Sequence, residues 1–237
     1  MHYCVSDISG HWEKYEELLE RIAFGEEDVL FVLGNVLGHG PEGLRILHDL
    51  SRRPNVKVLL GNQEFAAMIC LPWLLEELSA DGTQDDVLAA RLPQVLAWKS
   101  DGGAAVMEEF SRLSPAGRRV ALDELSQLDR TLETVCGGER FVLVHANLEN
   151  FSSDRPLEDY GIGELIQGKP DINHRYFEDR YLVFGHTPTP LLYQQERIGE
   201  GGPSIFRDDK LIGLDCGCAY GGRLGCICLE TFAEYYV

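Results

Sequence analysis

Five short loops in this chain place polar side chains directly after an apolar run: Ser6-Asp-Ile-Ser-Gly-His11, Gly34-Asn-Val-Leu-Gly-His-Gly40, Gly61-Asn-Gln-Glu64, His145-Ala-Asn147 and Gly185-His-Thr-Pro188. The second has three glycines in seven residues. Glycine opens backbone conformations closed to other residues, so such a loop suits a place where the main chain comes close to a ligand. The plain alternative is a turn between a buried strand and a helix. A different chemistry is suggested by Cys216, Cys218, Cys226 and Cys228, two C-x-C pairs whose spacing puts both thiols of a pair on one face of a strand. Zinc sites more often use C-x2-C within a turn, so a four-thiolate site is not expected.

The loops need elements that bring their ends together. Over residues 1–70, apolar strands at 3–6, 29–33 and 56–60 alternate with amphipathic helices around 12–22, around 42–52 and from near Glu64. That alternation reads as βαβ units with right-handed crossovers and a parallel sheet. Ligands of open α/β sheets bind beyond the carboxyl ends of the strands, so the first three loops should converge on one crevice. Residues 71–132 turn helical, with Pro93 and Pro115 as punctuation, and read as a helical insertion or cap. Strands return at 140–145 and 181–186, each ending in a polar residue. The tail, at 204–206, 210–215, 223–230 and 232–237, reads as an antiparallel meander. One α/β domain spanning residues 1–237, a two-sheet β-sandwich core flanked by helices, accommodates these elements.

The bulk composition limits what such a site serves. The chain has 21 basic and 39 acidic residues and a net charge of −18, which argues against a nucleic-acid backbone or an anionic membrane as its main partner. No apolar run reaches the ~18 residues of a membrane span, and the start of the chain lacks a basic stretch followed by an apolar one, so a cytoplasmic protein is expected. Seven cysteines, an odd number placed mostly in apolar segments (Cys4, Cys70, Cys136), suit buried, reduced thiols. His2, His11, His48 and His174 lie outside the five loops and read as ordinary structural histidines.

Taken together and in order, the five loops resemble the motifs of the metal-dependent phosphoprotein (Ser/Thr) phosphatases and their bacterial relatives within the calcineurin-like metallophosphoesterases: G-D-x-H-G, G-D-x-x-D-R-G, G-N-H-E, H-A-G and G-H-T-P. Trp98 through Gly102-Gly103 is similar to that family's W-x-x-x-G-G stretch, and Asp215-Cys-Gly-Cys-Ala-Tyr-Gly-Gly222 to its terminal D-T-G-C-V-Y-G-G. The resemblance implies a four-layer fold and a two-metal site, in which two cations polarise a phosphoryl group and activate a bridging water.

Carried over position by position, the match is uneven. Asp7, Asn62, His145 and His186 stand at ligand positions, and Glu64 also matches. The first-loop metal histidine is Ser9 and the bridging aspartate is Asn35. The second-loop aspartate and arginine are Gly38 and His39, and the histidine that acts as general acid is Gln63. Leu60 stands where many eukaryotic-type members place a further arginine, and Lys169 approximates another phosphate-binding arginine.

These substitutions bear directly on the chemistry. Two divalent ions about 3.5 Å apart repel by about 20 kcal/mol at an effective dielectric of about 20, and Asn35 brings no charge to offset it. The position built on Asp7, Ser9 and Asn35 is therefore expected to be weak or empty, while Asn62, His145 and His186, with Asn35, leave room for one divalent ion such as Mn, Fe or Zn. His39 is no bidentate phosphate clamp, and Gln63 cannot donate a proton as the acid does. The expectation is a phosphatase-like fold with a degraded dinuclear site, inactive or very weak as a phosphomonoesterase, that binds a phosphorylated ligand or a protein partner. The alternative is an active metal-dependent phosphoesterase that hydrolyses phosphoprotein or nucleotide substrates through a rearranged or mononuclear site.

Overall fold

The computed structural model describes residues 1–74, 85–193 and 202–237. Two five-stranded sheets lie face to face. The first runs β10 (Glu234–Tyr236), β9 (Gly225–Cys228), β1 (His2–Val5), β2 (Val29–Val32), β3 (Val56–Val58). The second runs β4 (Thr131–Cys136), β5 (Glu139–Val144), β6 (Arg180–Phe184), β8 (Leu211–Gly213), β7 (Phe206–Asp208). Strands β1, β2 and β3 are parallel, as are β5, β6 and β8, and antiparallel strands complete each sheet.

Side-chain alternation along the strands builds the layers. Tyr3, Val5, Leu30 and Val32 face the helices, whereas Cys4, Phe31 and Leu33 face the second sheet and meet Phe141, Leu143, Val183 and Ile212. Val142, Val144, Leu182 and Phe184 point to the far side, against Leu165 and Ile166 of α7 (Ile162–Ile166). Burial on both faces is why these strands read as continuous apolar runs. Helices α1 (Trp12–Arg21) and α2 (Gly43–Ser51) are the crossovers of the first sheet. No described helix is long and apolar enough to cross a membrane.

After α3 (Asn62–Cys70), the helical stretch holds α4 (Asp85–Trp98), a kinked segment Lys99–Gly103, α5 (Ala104–Arg112) and α6 (Pro115–Ser126); its residues 75–84 lie outside the described residues. Val106, Phe110, Ala121 and Leu125 of α5 and α6 join the same apolar core as α1 and α2. Pro115 opens α6 behind Ser114, whose hydroxyl accepts the Gly117 N–H at 3.1 Å. Pro93, expected to punctuate, instead lies inside α4, where a missing donor need not end the helix.

Two expectations are corrected. β4 was not anticipated, although it forms a hairpin with β5 through Gly137 and Gly138, both at positive φ (+59° and +87°), the conformation that two-residue hairpins require. The tail is not a meander. β7 and β8 pair within the second sheet, but β9 leaves it to lie beside β1 in the first. Local alternation identifies a strand without telling which sheet receives it.

Candidate active site

The parallel strands of both sheets end on one side, and their loops meet there around a cleft of about 90 Å³ lined by Asp7, Ser9, Asn35, His39, Asn62, Gln63, Asp101, His186, Asp215, Ala219 and Tyr220. Eight described non-glycine residues have positive φ, and four of them line this cleft: Asp7 (+55°), Ser9 (+52°), Asn35 (+50°) and His186 (+62°). Such conformations cost on the order of 1 kcal/mol each and persist where the surroundings hold them. Here the main chain does so: Asp7 N–H donates to Gly34 O (3.1 Å), Ser9 N–H to Asn35 O (2.8 Å) and Gly10 N–H to Val36 O (2.7 Å).

Glu64 clamps the second loop from beneath. Its fully buried carboxylate accepts the N–H groups of Leu37 (2.8 Å), Asn35 (2.8 Å) and Gly61 (3.0 Å). Burial raises this carboxyl, and the main-chain donors work against that rise. Gly185 allows the last loop to seat, because a Cβ there would overlap the Ser6 hydroxyl and the Asp7 carboxylate.

Asp7 does not cap the following helix, whose N-cap is His11. Its carboxylate accepts the His186 N–H at 2.8 Å and the Asn35 amide at 2.9 Å. Asn35 has both ends engaged. Its oxygen accepts the Gln63 N–H at 3.1 Å, so its NH2 must face Asp7. A donor thus points where the family's bridging carboxylate would present an acceptor. Asp215 is also buried, and its carboxylate accepts the Gly217 N–H at 2.9 Å. Burial and then the charge of Asp7 push Asp215 up to about 8, and burial lifts Asp7 to about 6.

The donor set changes on the other side of the cleft. His145 is fully buried and its Nδ1 lies 2.6 Å from Leu33 O, so Nδ1 carries the hydrogen. Nε2 is therefore a bare lone pair, 3.0 Å from the Asn62 amide oxygen. Two acceptors face each other there, an arrangement relieved by a shared cation or by turning the amide over. Burial lowers His145 to about 3, so it stays neutral and able to ligate across the ordinary pH range. The His186 ring lies 5.1 Å from that of His145, centroid to centroid. Burial lowers His186 too, with Asp215 and Asp101 opposing. Among the described residues, no three His, Cys, Asp or Glu ligand atoms of the cleft lie within 4.8 Å of one another; the Asn62 amide oxygen, in contact with His145 Nε2, is a further donor at this side of the cleft. Asn62, His145 and His186 offer donor types that a divalent ion takes, whereas Asp7 faces the Asn35 NH2 group instead of a second carboxylate.

Gln63 is locked: its oxygen accepts the Trp98 indole N–H at 2.8 Å, and its amide donates to the main-chain oxygen (2.7 Å) and carboxylate (3.2 Å) of Asp101. His39 sits exposed at the rim, its ring 5.2 Å from that of Tyr220. Lys169 is exposed just beyond α7 and does not line the cleft. The lining contains three aspartates and neither lysine nor arginine. Asp101, Asp215 and Tyr220 were not singled out from the sequence, although Asp101 and Asp215 lie inside the matched W-x-x-x-G-G and D-T-G segments. The signal was Gly102, at φ +96° directly after Asp101, whose carboxylate accepts the Gln63 amide at 3.2 Å. The seven thiols are all buried and free, and the two C-x-C pairs do not assemble into one site among the described residues. His2 and His48 pair with Glu230 and Glu124, and His174 packs against Phe151 and Tyr176.

No protein-family model matches the chain. It is 34% identical to the symmetrical bis(5′-nucleosyl)-tetraphosphatase of Delftia acidovorans, over 98% of this chain and 92% of that one. In three dimensions it resembles a candidate diadenosine tetraphosphatase with a TM-score of 0.65 at 18% identity, over 100% and 92% of the two chains. It also resembles a metallophosphoesterase from Sphaerobacter thermophilus, with a TM-score of 0.55 at 14% identity over 99% and 86%.

Proposed function

The chain belongs to the calcineurin-like metallophosphoesterases, in the family of the symmetrical bis(5′-nucleosyl)-tetraphosphatases, and we propose that it holds a single divalent ion and binds a phosphorylated ligand through it, with only weak hydrolysis. The observation that carries this reading is the Asn35 amide, turned so that an NH2 group meets Asp7. Asn62, His145 and His186 would hold the ion, which when bound would polarise a phosphoryl oxygen. The chain's own residues supply little else. Gln63 is held by Trp98 and Asp101 and has no proton to give a leaving group. A lining without lysine or arginine offers no fixed cation to a phosphate unless a metal precedes it.

The named relatives favour a nucleoside polyphosphate as the ligand over a phosphoprotein, the class suggested by the motif resemblance. A protein partner is a further possibility of the same reading, in a cytoplasmic protein. The second reading, an active hydrolase with a mononuclear site, is favoured by the bare Nε2 of His145 beside Asn62. Metal analysis of the purified chain with turnover of an aryl phosphate and of diadenosine tetraphosphate in Mn²⁺ separates them. One ion per chain, lost in His145→Ala, with turnover reduced by on the order of 10²–10⁴ as expected without a general acid, supports the proposal. Two ions, or fast turnover abolished by His145→Ala, would refute it.

A further inference from the structure

A second group of ligand-type atoms lies at the opposite end of the sandwich, where β1 begins and β4 and β9 end. His2 Nδ1, Cys136 Sγ and a Glu230 carboxylate oxygen all fall within 4.8 Å of one another, and no other such trio occurs among the described residues. They come from three separate stretches of chain and from both sheets. The Gly137–Gly138 turn makes the meeting possible: a Cβ on Gly137 would stand only 3.1 Å from the Glu230 Cα. Glu230 is fixed by the His2 ring (2.5 Å) and by the His2 N–H, which donates to both carboxylate oxygens at 3.1 and 2.9 Å. The Cys228 thiol stands 3.4 Å away. The side chains of His2 and Glu230 keep 34% and 21% of their exposure while Cys136 is buried, so an ion has an entry path and the sulfur is sheltered.

We propose that His2, Cys136 and Glu230 form a site for one zinc-like, thiol-seeking divalent cation, with solvent in the fourth position. One sulfur, one imidazole nitrogen and one carboxylate oxygen are the donor types zinc takes, whereas magnesium and calcium require oxygens throughout. Ligand atoms around tetrahedral zinc stand about 3.3–3.6 Å apart, so the 2.5 Å His2–Glu230 contact opens by about 1 Å, and any separation near the 4.8 Å bound closes by no more than about 1.5 Å. Both changes fall on side chains at the solvent edge. Binding releases the Cys136 thiol proton and leaves His2 neutral, protonated at Nε2 and bound through Nδ1. No oxidation is involved. The ion would tie the first strand of one sheet to the edge hairpin of the other, on the face away from the cleft. Without an ion, the same residues are a hydrogen-bonded His–Glu pair covering a core thiol, which predicts no metal affinity.

Cobalt decides between the two, because the cleft offers no sulfur. The metal-stripped full chain titrated with Co²⁺ should develop thiolate-to-cobalt charge-transfer absorption in the near ultraviolet, which Zn²⁺ then displaces. The band should vanish in Cys136→Ser, weaken at least tenfold in affinity in His2→Ala, and persist in His145→Ala. Absence of the band at saturating Co²⁺, or its survival in Cys136→Ser, overturns the proposal. If Cys136→Ser does not fold, His2→Ala on the exposed strand end decides, and unchanged cobalt affinity there overturns it as well.

Discussion

Replacing Asn35 by aspartate tests the reading of the cleft most directly. The Asn35 NH2 stands 2.9 Å from the Asp7 carboxylate, and both residues are buried, so the variant sets two carboxylates face to face. At that separation two like charges repel by about 6 kcal/mol at an effective dielectric of about 20. The pair can escape by taking a proton, at a cost of about 1.36 kcal/mol for each pH unit above the ordinary carboxylate pKa of about 3.9. The loss in the metal-free protein is then about 5 kcal/mol at pH 8 and no more than about 1.5 kcal/mol at pH 5. For a chain of 237 residues, at about 2–4 °C per kcal/mol, this lowers the melting temperature by about 10–20 °C at pH 8 and only a few degrees at pH 5. A divalent ion between the carboxylates reverses the sign, so Mn²⁺ should restore the variant at pH 8 far more than it stabilises the parent. Scanning calorimetry at both pH values, with and without Mn²⁺, reads all four quantities. A metal-free variant as stable as the parent at pH 8 would show that the Asn35 amide does not face Asp7 as described, and the one-metal argument would go with it.

Three further outcomes follow from the same geometry. Glu64→Gln turns one acceptor of a carboxylate that receives three N–H groups into a donor, and urea denaturation should show a loss of about 3 kcal/mol, with a loss below about 1 kcal/mol counting against the clamp. Asp215, pushed up to about 8 by burial and then by Asp7, keeps in the folded chain a proton that the unfolded chain has lost. Stability should therefore fall as pH rises from the ordinary carboxylate range to about 8, and Asp215→Asn should flatten this slope in metal-free melting curves. Gly185→Ala forces a Cβ onto Ser6 and Asp7, so it should cost about 3 kcal/mol and weaken Mn²⁺ binding measured by calorimetry; unchanged affinity would mean that the seating of the last loop does not matter to the metal.

Much of the frame was legible because it is written locally. Each site loop follows a short buried strand, and the polar residue after the apolar run marks where the chain leaves the sheet. What escaped was decided between distant segments. Cys226 and Cys228 alternate like any strand, yet only pairing with Val5 and Tyr3 assigns β9 to the first sheet. Thr131–Cys136 is a strand because the Gly137–Gly138 turn folds it onto β5, and its first two residues lie at the end of the stretch that reads as helical. Asn35 stands at a metal-ligand position of the family motif. That the Gln63 N–H takes its amide oxygen is not legible locally, since the bond joins the second loop to the start of α3. Lys169 matches the phosphate-binding arginine only approximately in spacing, and its exposed position beyond α7 is a property of packing that spacing does not carry.

The four left-handed residues around the cleft have a consequence for what could be rebuilt there. Their shape is held by main-chain hydrogen bonds and by Glu64, none of which requires a metal or the side chains lost from the family pattern. Socket and contents are therefore separate inheritances in this molecule. Exchanging Ser9, Asn35, His39 and Gln63 for the family's residues alters what the socket holds and leaves these main-chain bonds available, whereas at Gly38, with φ of +149° and Ser9 3.3 Å from a Cβ, a side chain also strains the loop.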